Sequence, residues 1–298
     1  MPIISNPLSK FAVSLLAAGW CGLPLAAQAQ DVKCPITHDQ LVKALKESVK
    51  ASGGPDNGGM PTNNQWAAVV DRDGVVCAVA FSGNKPTDQW LASHAIAAEK
   101  ANTVVSLSTN DFAQSTANLW AQAQPGGSSY GAAASNPPVA SELYAGSISQ
   151  YGSSSDPLLG KRVGGIIVFG GGLALYKNKE LVGGLGTSGN TSCADHNISW
   201  RVREKLGMSQ VPNGPTSEHN DAIVYDVVNG KSQSGFGHPT CGHHAPDIAK
   251  KIGAGITVGQ VQEPTGPHAV ENDQPVPMPK DQHQGTTGSA PPTPSPKK

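Results

Sequence analysis

The sequence predicts an α+β fold built on an antiparallel sheet of about five strands. Three observations carry that expectation. Segments of helical period alternate with short β-rich runs, neighbouring runs are joined by hairpin-type turns, and residues 30–262 have the composition of one domain large enough to bury a single core. No internal repeat interrupts this pattern.

The chain ends fall outside that domain. Residues 1–29 read as a signal peptide: Lys10 gives a positive start, Phe11 to Ala27 is almost wholly apolar or small, and Ala27, Gln28, Ala29 follow the small-x-small rule for cleavage. Gly19, Gly22 and Pro24 interrupt a run already short for a membrane anchor, and Trp20 before Cys21 argues against lipidation. No other segment is long and apolar enough for a membrane span, so a periplasmic or secreted protein is expected. Residues 263–298 hold nine prolines without apolar periodicity, the texture of a disordered Pro-rich tail.

Within the domain, Thr37 and Gln40 make a capping-box pattern before Leu41, Ala44, Leu45, Ser48 and Val49, which repeat at helical spacing. Trp66 to Val70 and Val75 to Phe81 are β-rich runs joined by Asp71, Arg72, Asp73 and Gly74, a hairpin signal. A second helix is expected over 88–105, with a wide apolar arc rich in alanine; its Ala97, Ala101 and Val104 should lie close against the sheet or another subunit. Residues 107–163 form a long Gly, Ser, Pro and Asn-rich loop with one short helical candidate at 112–123, and a loop of that length is usually functional or covers something. Ile166 to Phe169, Leu173 to Tyr176 and Glu180 to Leu185 read as a three-stranded meander. A helix over 194–206, a strand over 222–228 and a short helix over 245–252 complete the domain.

Charged residues make up only 14% of the chain, against about 25% in an average globular protein. With a formal net charge of -1, the chain lacks the phosphate-neutralising excess that nucleic-acid binding needs. The H-E-x-x-H hydrolase motif and the nucleotide-binding P-loop are absent from the sequence. Gly184, Gly186 and Gly189 formally match G-x-G-x-x-G, but tight hairpins precede them and Asp226 stands too far downstream. Close backbone approach explains them better than a dinucleotide. The N–H groups near Gly189 at a helix start could still hold a small organic acid.

Once Cys21 leaves with the signal, Cys34, Cys77, Cys193 and Cys241 remain, an even set suited to two disulfides in an oxidising compartment. Cys193 and Cys241 each lie three positions from a histidine, in segments that start or end regular elements. Their pairing is expected, leaving Cys34 with Cys77. The same Cys193-x-x-His196 and His238-x-x-Cys241 spacings could instead furnish a four-ligand zinc site. His196, Trp200 and Arg203 recur along one helix and would place an imidazole, a flat ring and a guanidinium on one ridge, suited to a flat anionic ligand. His94, mid-helix among alanines, is a second imidazole candidate, and Tyr130, Tyr144 and Tyr151 could line a pocket or pack the long loop.

Four segments, VVDRDGVVCAVAF, SHAIAAEKANT, GGIIVFGGGLALYKNKELVGGLGTSG and SCADHNISWRV, together resemble the GlcG/HbpS-like haem-binding family in a longer, secreted form. The resemblance covers about 67–202, and GFGHPTCG extends it towards Gly242. It implies a profilin-like α/β/α sandwich, a homo-oligomer as partner state, and haem iron as cofactor, bound and in some members degraded or used in redox sensing. On that implication Arg203 would pair with a propionate, His196 or His94 would face the iron, and Trp200 and His238 would line the site. The alternative is a non-catalytic accessory oligomer that binds an organic acid, or a Cys/His zinc protein.

Overall fold

A computed structural model describes residues 33–49, 55–61 and 64–259; the expected signal peptide at 1–29 and the expected disordered Pro-rich tail at 263–298 lie outside the described residues. In chain order the elements are α1 (His38–Ser48), β1 (Trp66–Asp71), β2 (Val76–Phe81), α2 (Ala92–Ser106), α3 (Trp120–Ala123), α4 (Ala132–Ser135), α5 (Ala140–Leu143), β3 (Gly172–Lys177) and β4 (Glu180–Ser188). They continue with α6 (Ser192–Lys205), β5 (Ile223–Tyr225), β6 (Val227–Val228), β7 (Lys231–Ser232), α7 (Ala245–Lys251) and β8 (Gly255–Thr257).

The main sheet has four strands rather than five, in the order β2-β1-β4-β3, all antiparallel. Two expected strands stay out of it. Gly164 and Gly165 at positive φ and Gly171 at +119° bend the 166–169 run away from the sheet. It lies along α2 instead, where the Ile167 amide donates to Thr103 Oγ1 and Asn102 donates to the Gly165 carbonyl. The 222–228 run breaks at Asp226, whose carboxylate accepts from Ser232 Oγ and the Ser234 amide. Its first part pairs in parallel with β8 and its second forms a hairpin with β7.

Helices cover both faces of the sheet. Trp66, Ala68 and Val70 of β1 join α2 residues Ala97, Ala101 and Val104 in one cluster. Ala67 and Val69 face the other way, with Leu41 and Leu45 of α1 and Ile198 and Val202 of α6. Because both faces are dry, β1 is buried at every position and shows no polar alternation. The Thr37–Gln40 capping box opens α1 as the sequence predicts.

Alanine faces glycine where α2 meets β4. A Cβ on Gly186 would strike the Ala97 carbonyl and one on Gly184 the Ala101 carbonyl, so the glycines set the approach of helix to strand. The alanine face therefore packs on the sheet. α2 starts only at Ala92, because Asp88 caps a separate 3-10 turn (Pro86–Asp88) and Gln89 is extended. The 112–123 helix is reduced to α3, since Asn118 Oδ1 accepts from both the amide and hydroxyl of Ser115, a local motif that competes with helix.

The 107–163 excursion covers the α2 side of the fold. Its Leu143, Tyr151, Leu158 and Val163 enter the α2 cluster, and Val76 exchanges backbone hydrogen bonds with Gly160 and Lys161. Tyr151 packs inside, while Tyr130 and Tyr144 are exposed.

Candidate functional site

Helix α6 gathers most of the chemistry-bearing side chains. Thr191 caps it by accepting from the Ala194 amide. The amides of Asn190, Thr191 and Cys193 find acceptors in Asp195, Asn190 and Cys241. These three of the N–H groups expected to hold an organic acid near Gly189 are thus already satisfied within the chain.

Cys193 is bonded to Cys241, and Cys34 to Cys77, the pairings the sequence analysis expects. The two sulfurs of the first bridge and a ring nitrogen of His238 all lie within 4.8 Å of one another. His196, the other histidine of the four-ligand spacing, is not in that group. His238 Nδ1 donates to the Pro239 carbonyl at 2.7 Å, leaving Nε2 as acceptor for the Gly170 amide at 3.4 Å. Burial pushes this imidazole down to about 4.

His196, Trp200 and Arg203 are brought together, but inside the protein. His196 is fully buried, donates from Nε2 to the Ala254 carbonyl at 3.1 Å, and keeps Nδ1 without a partner. Burial lowers its pKa to about 3, so the ring is neutral. The Arg203 guanidinium lies 4.6 Å from the Trp200 ring centre and binds Asp221 through both terminal nitrogens at 2.7 Å. Its charge is therefore neutralised by Asp221, and it is not placed to pair with a propionate.

His94 sits on the opposite side of the sheet. Its Nε2 meets Asp156 Oδ2 at 2.8 Å and its Nδ1 is buried without a partner. Tyr151 stacks on the ring with centroids 4.0 Å apart, and Trp66 packs edge-on at 5.2 Å. Haem iron needs a neutral imidazole nitrogen with a free lone pair, and His94 and His196 each hold one unpartnered ring nitrogen. The donor chemistry fits haem at these two residues, whereas Arg203 does not fit.

Lys100, Asp156 and Asp221 are not among the candidate residues that the sequence offers. Lys100 donates to Asp195 Oδ2 at 2.8 Å and to the Thr187 carbonyl at 3.0 Å, while its ammonium stands 4.9 Å from the Phe169 ring centre. Asp195 Oδ1 accepts from Gln65 at 2.6 Å and from the Asn190 amide at 2.9 Å. A lysine inside an alanine arc is the one sequence signal that could have found this network. A cleft of about 440 Å³ lies elsewhere, lined by Ile36, Lys43, Glu47, Lys205 and Met208 among others, and contains none of these histidines. Among the described residues, no helix is long and apolar enough to cross a membrane.

No curated protein matches the chain. Among solved structures, a PduOC:heme complex is similar at 22% identity and TM-score 0.38, covering 58% of this chain and 94% of that one. Klebsiella pneumoniae protein ORFY is similar at 20% and 0.37, covering 58% and 90%. A double mutant of Streptomyces reticuli HbpS is similar at 18% and 0.33, covering 66% and 99%. The family model described as haem degrading protein HbpS-like matches residues 40–202, from early α1 to late α6. That is more than half of the chain, and the protein belongs to the HbpS-like family.

Proposed function

We propose that this protein is exported and binds haem, with His94 as the imidazole that would hold the iron. The observation that carries the reading is the family match over 40–202, which contains His94 and His196 but not His238. When bound, haem would supply a redox-active iron that an imidazole nitrogen can hold. Of the two candidates, His94 has a carboxylate on its other ring nitrogen, the support that orients a metal-binding imidazole and raises its basicity. His196 has only a carbonyl there and is enclosed by α6, Gly170 and Ala254.

Tyr151 and Asp156 belong to the excursion, so the segment that covers His94 also supplies its hydrogen-bond partner. His94 Nδ1 is buried, so reaching it requires the residues that cover it to move. Trp66 and Phe81, stacked with centroids 4.2 Å apart, provide flat apolar surface beside it. The two disulfides and the lack of a membrane-length helix among the described residues are compatible with an extracellular setting. Self-association and a profilin-like sandwich belong to the same reading, with haem degradation or redox sensing as its further steps.

Haemin titration of the mature chain tests the proposal through the Soret band. A shifted, saturable band that is lost in His94→Ala and kept in His196→Ala is expected. A band that never saturates overturns haem binding, and a band kept in His94→Ala overturns the ligand. Native mass spectrometry of protein isolated from its host reads bound haem and subunit number together. Amino-terminal sequencing should begin near residue 30 if the leader is removed.

A further inference from the structure

We propose that reduction of the Cys193–Cys241 disulfide turns the start of α6 into a three-ligand site for a thiophilic divalent cation of the zinc class, with His238 as the third donor. This does not depend on haem binding, since His238 and Cys241 lie beyond the residues that the family model matches.

Geometry is the first support. Among the described residues, Cys193, His238 and Cys241 are the group whose ligand atoms all fall within 4.8 Å of one another. Zinc held by two thiolates and an imidazole needs bonds of about 2.3 Å to sulfur and 2.0 Å to nitrogen. Opening the bridge and turning two short side chains is the movement this requires of donors already within 4.8 Å of one another. The second support is the state of His238. Nδ1 donates to the Pro239 carbonyl at 2.7 Å, which fixes the tautomer and leaves the Nε2 lone pair engaged only by the long contact from the Gly170 amide at 3.4 Å, which an ion would displace. A backbone carbonyl on the far nitrogen is the usual support of a metal-bound histidine. Ser192 Oγ, 3.4 Å from Cys241 Sγ, or solvent can complete a fourth position.

The chemistry runs through thiol–disulfide exchange with a dithiol reductant. Cys193 is fully buried while Cys241 is half-buried, so the incoming thiolate attacks Cys241 Sγ. The sulfur–sulfur bond breaks, a mixed disulfide forms on Cys241, and Cys193 leaves as a thiolate on the first turn of α6, where the helix end favours negative charge. The reductant's second thiol then releases Cys241 and closes the reductant's own disulfide. Two electrons pass to the protein, the dithiol's two protons go to solvent, and the two thiolates bind the dication. In the oxidised form both sulfurs are committed to each other and the site is closed.

The test uses the whole chain, reduced with a phosphine and desalted without oxygen, against the same protein kept oxidised. Cobalt(II) is the probe, because tetrahedral thiolate coordination gives intense visible and near-ultraviolet absorption. One ion per chain with that spectrum is expected in the reduced protein and none in the oxidised protein, with release on reoxidation. The signal should be lost in Cys193→Ser and weakened in His238→Gln, and kept in the double variant Cys34→Ser/Cys77→Ser. No bound ion in the reduced protein, equal binding in the oxidised protein, or an unchanged spectrum in both Cys193→Ser and His238→Gln overturns the proposal. So does loss of far-ultraviolet dichroism on reduction that metal does not restore.

Discussion

Lys100 of α2 and Asp195 of α6 meet at 2.8 Å, although the two helices lie on opposite faces of the sheet and neither side chain is more than 2% exposed. They reach each other at Gly171, where an added Cβ would stand 2.6 Å from the Lys100 ammonium and 2.9 Å from Asp195 Cβ. The missing side chain at the edge of β3 is the passage between the layers. Burial pushes Lys100 down and Asp195 up, each opposed by the charge of the other.

Removing one partner should therefore cost more than the pair is worth. Lys100→Met leaves a buried carboxylate and is expected to lower unfolding free energy by about 3–5 kcal/mol, read by urea denaturation at neutral pH. The double variant Lys100→Met/Asp195→Leu should recover part of that loss. A single-variant loss below about 1 kcal/mol would mean that water already reaches the pair.

Acid should destabilise the fold through its buried histidines. His196 titrates near 3 in the folded chain, because burial disfavours the cation, and near 6.5 when unfolded. Below pH 6.5 the unfolded chain takes up a proton that the folded chain refuses, so stability falls as pH drops from 6.5 towards 3. The slope is about 1 kcal/mol per pH unit for each such group. His238, pushed down to about 4, adds its share between 6.5 and 4. His196→Gln should make the stability–pH curve shallower, and an unchanged slope would reject the assignment.

Filling the glycine track should strain the helix–sheet contact. Gly186→Ala places a methyl against the Ala97 carbonyl and should cost about 1–3 kcal/mol. Ala101→Phe, buried in the same contact, should lower the melting temperature with no change in elution volume. A changed volume with an unchanged melting temperature would instead place this face between subunits.

The bridge from Cys34 to Cys77 ties the residues before α1 to β2 across a sequence separation of 43. Cys34→Ser/Cys77→Ser should lower unfolding free energy by about 3–4 kcal/mol in the chain-entropy estimate. Chemical denaturation of the two proteins under non-reducing conditions measures it, and equal midpoints would show that the reduced unfolded chain is already compact.

Local signals were enough for much of the framework. The Thr37–Gln40 capping box, the hairpin around Gly74 and the β3–β4 turn are written in residues that contact their near neighbours, so α1 and the two hairpins were legible. The Gly184 and Gly186 pair signals close backbone approach by itself, since glycine has no side chain to place. Cys34, Cys77, Cys193 and Cys241 also pair as their setting suggests.

Partners distant in sequence were decided only by the tertiary structure. A spacing of i, i+4, i+7 put His196, Trp200 and Arg203 on one ridge, but it could not say that Asp221 would occupy the guanidinium or that Ala254 would cover the imidazole. Nor could periodicity show that the 166–169 run would bond to α2 rather than to a strand, because β-rich composition names an extended chain and not its neighbour. The sequence by itself determined the kinds of element and the chemistry available. The tertiary structure decided which charges neutralise each other and which imidazoles keep a free nitrogen, because burial and pairing are set by residues brought together from far along the chain.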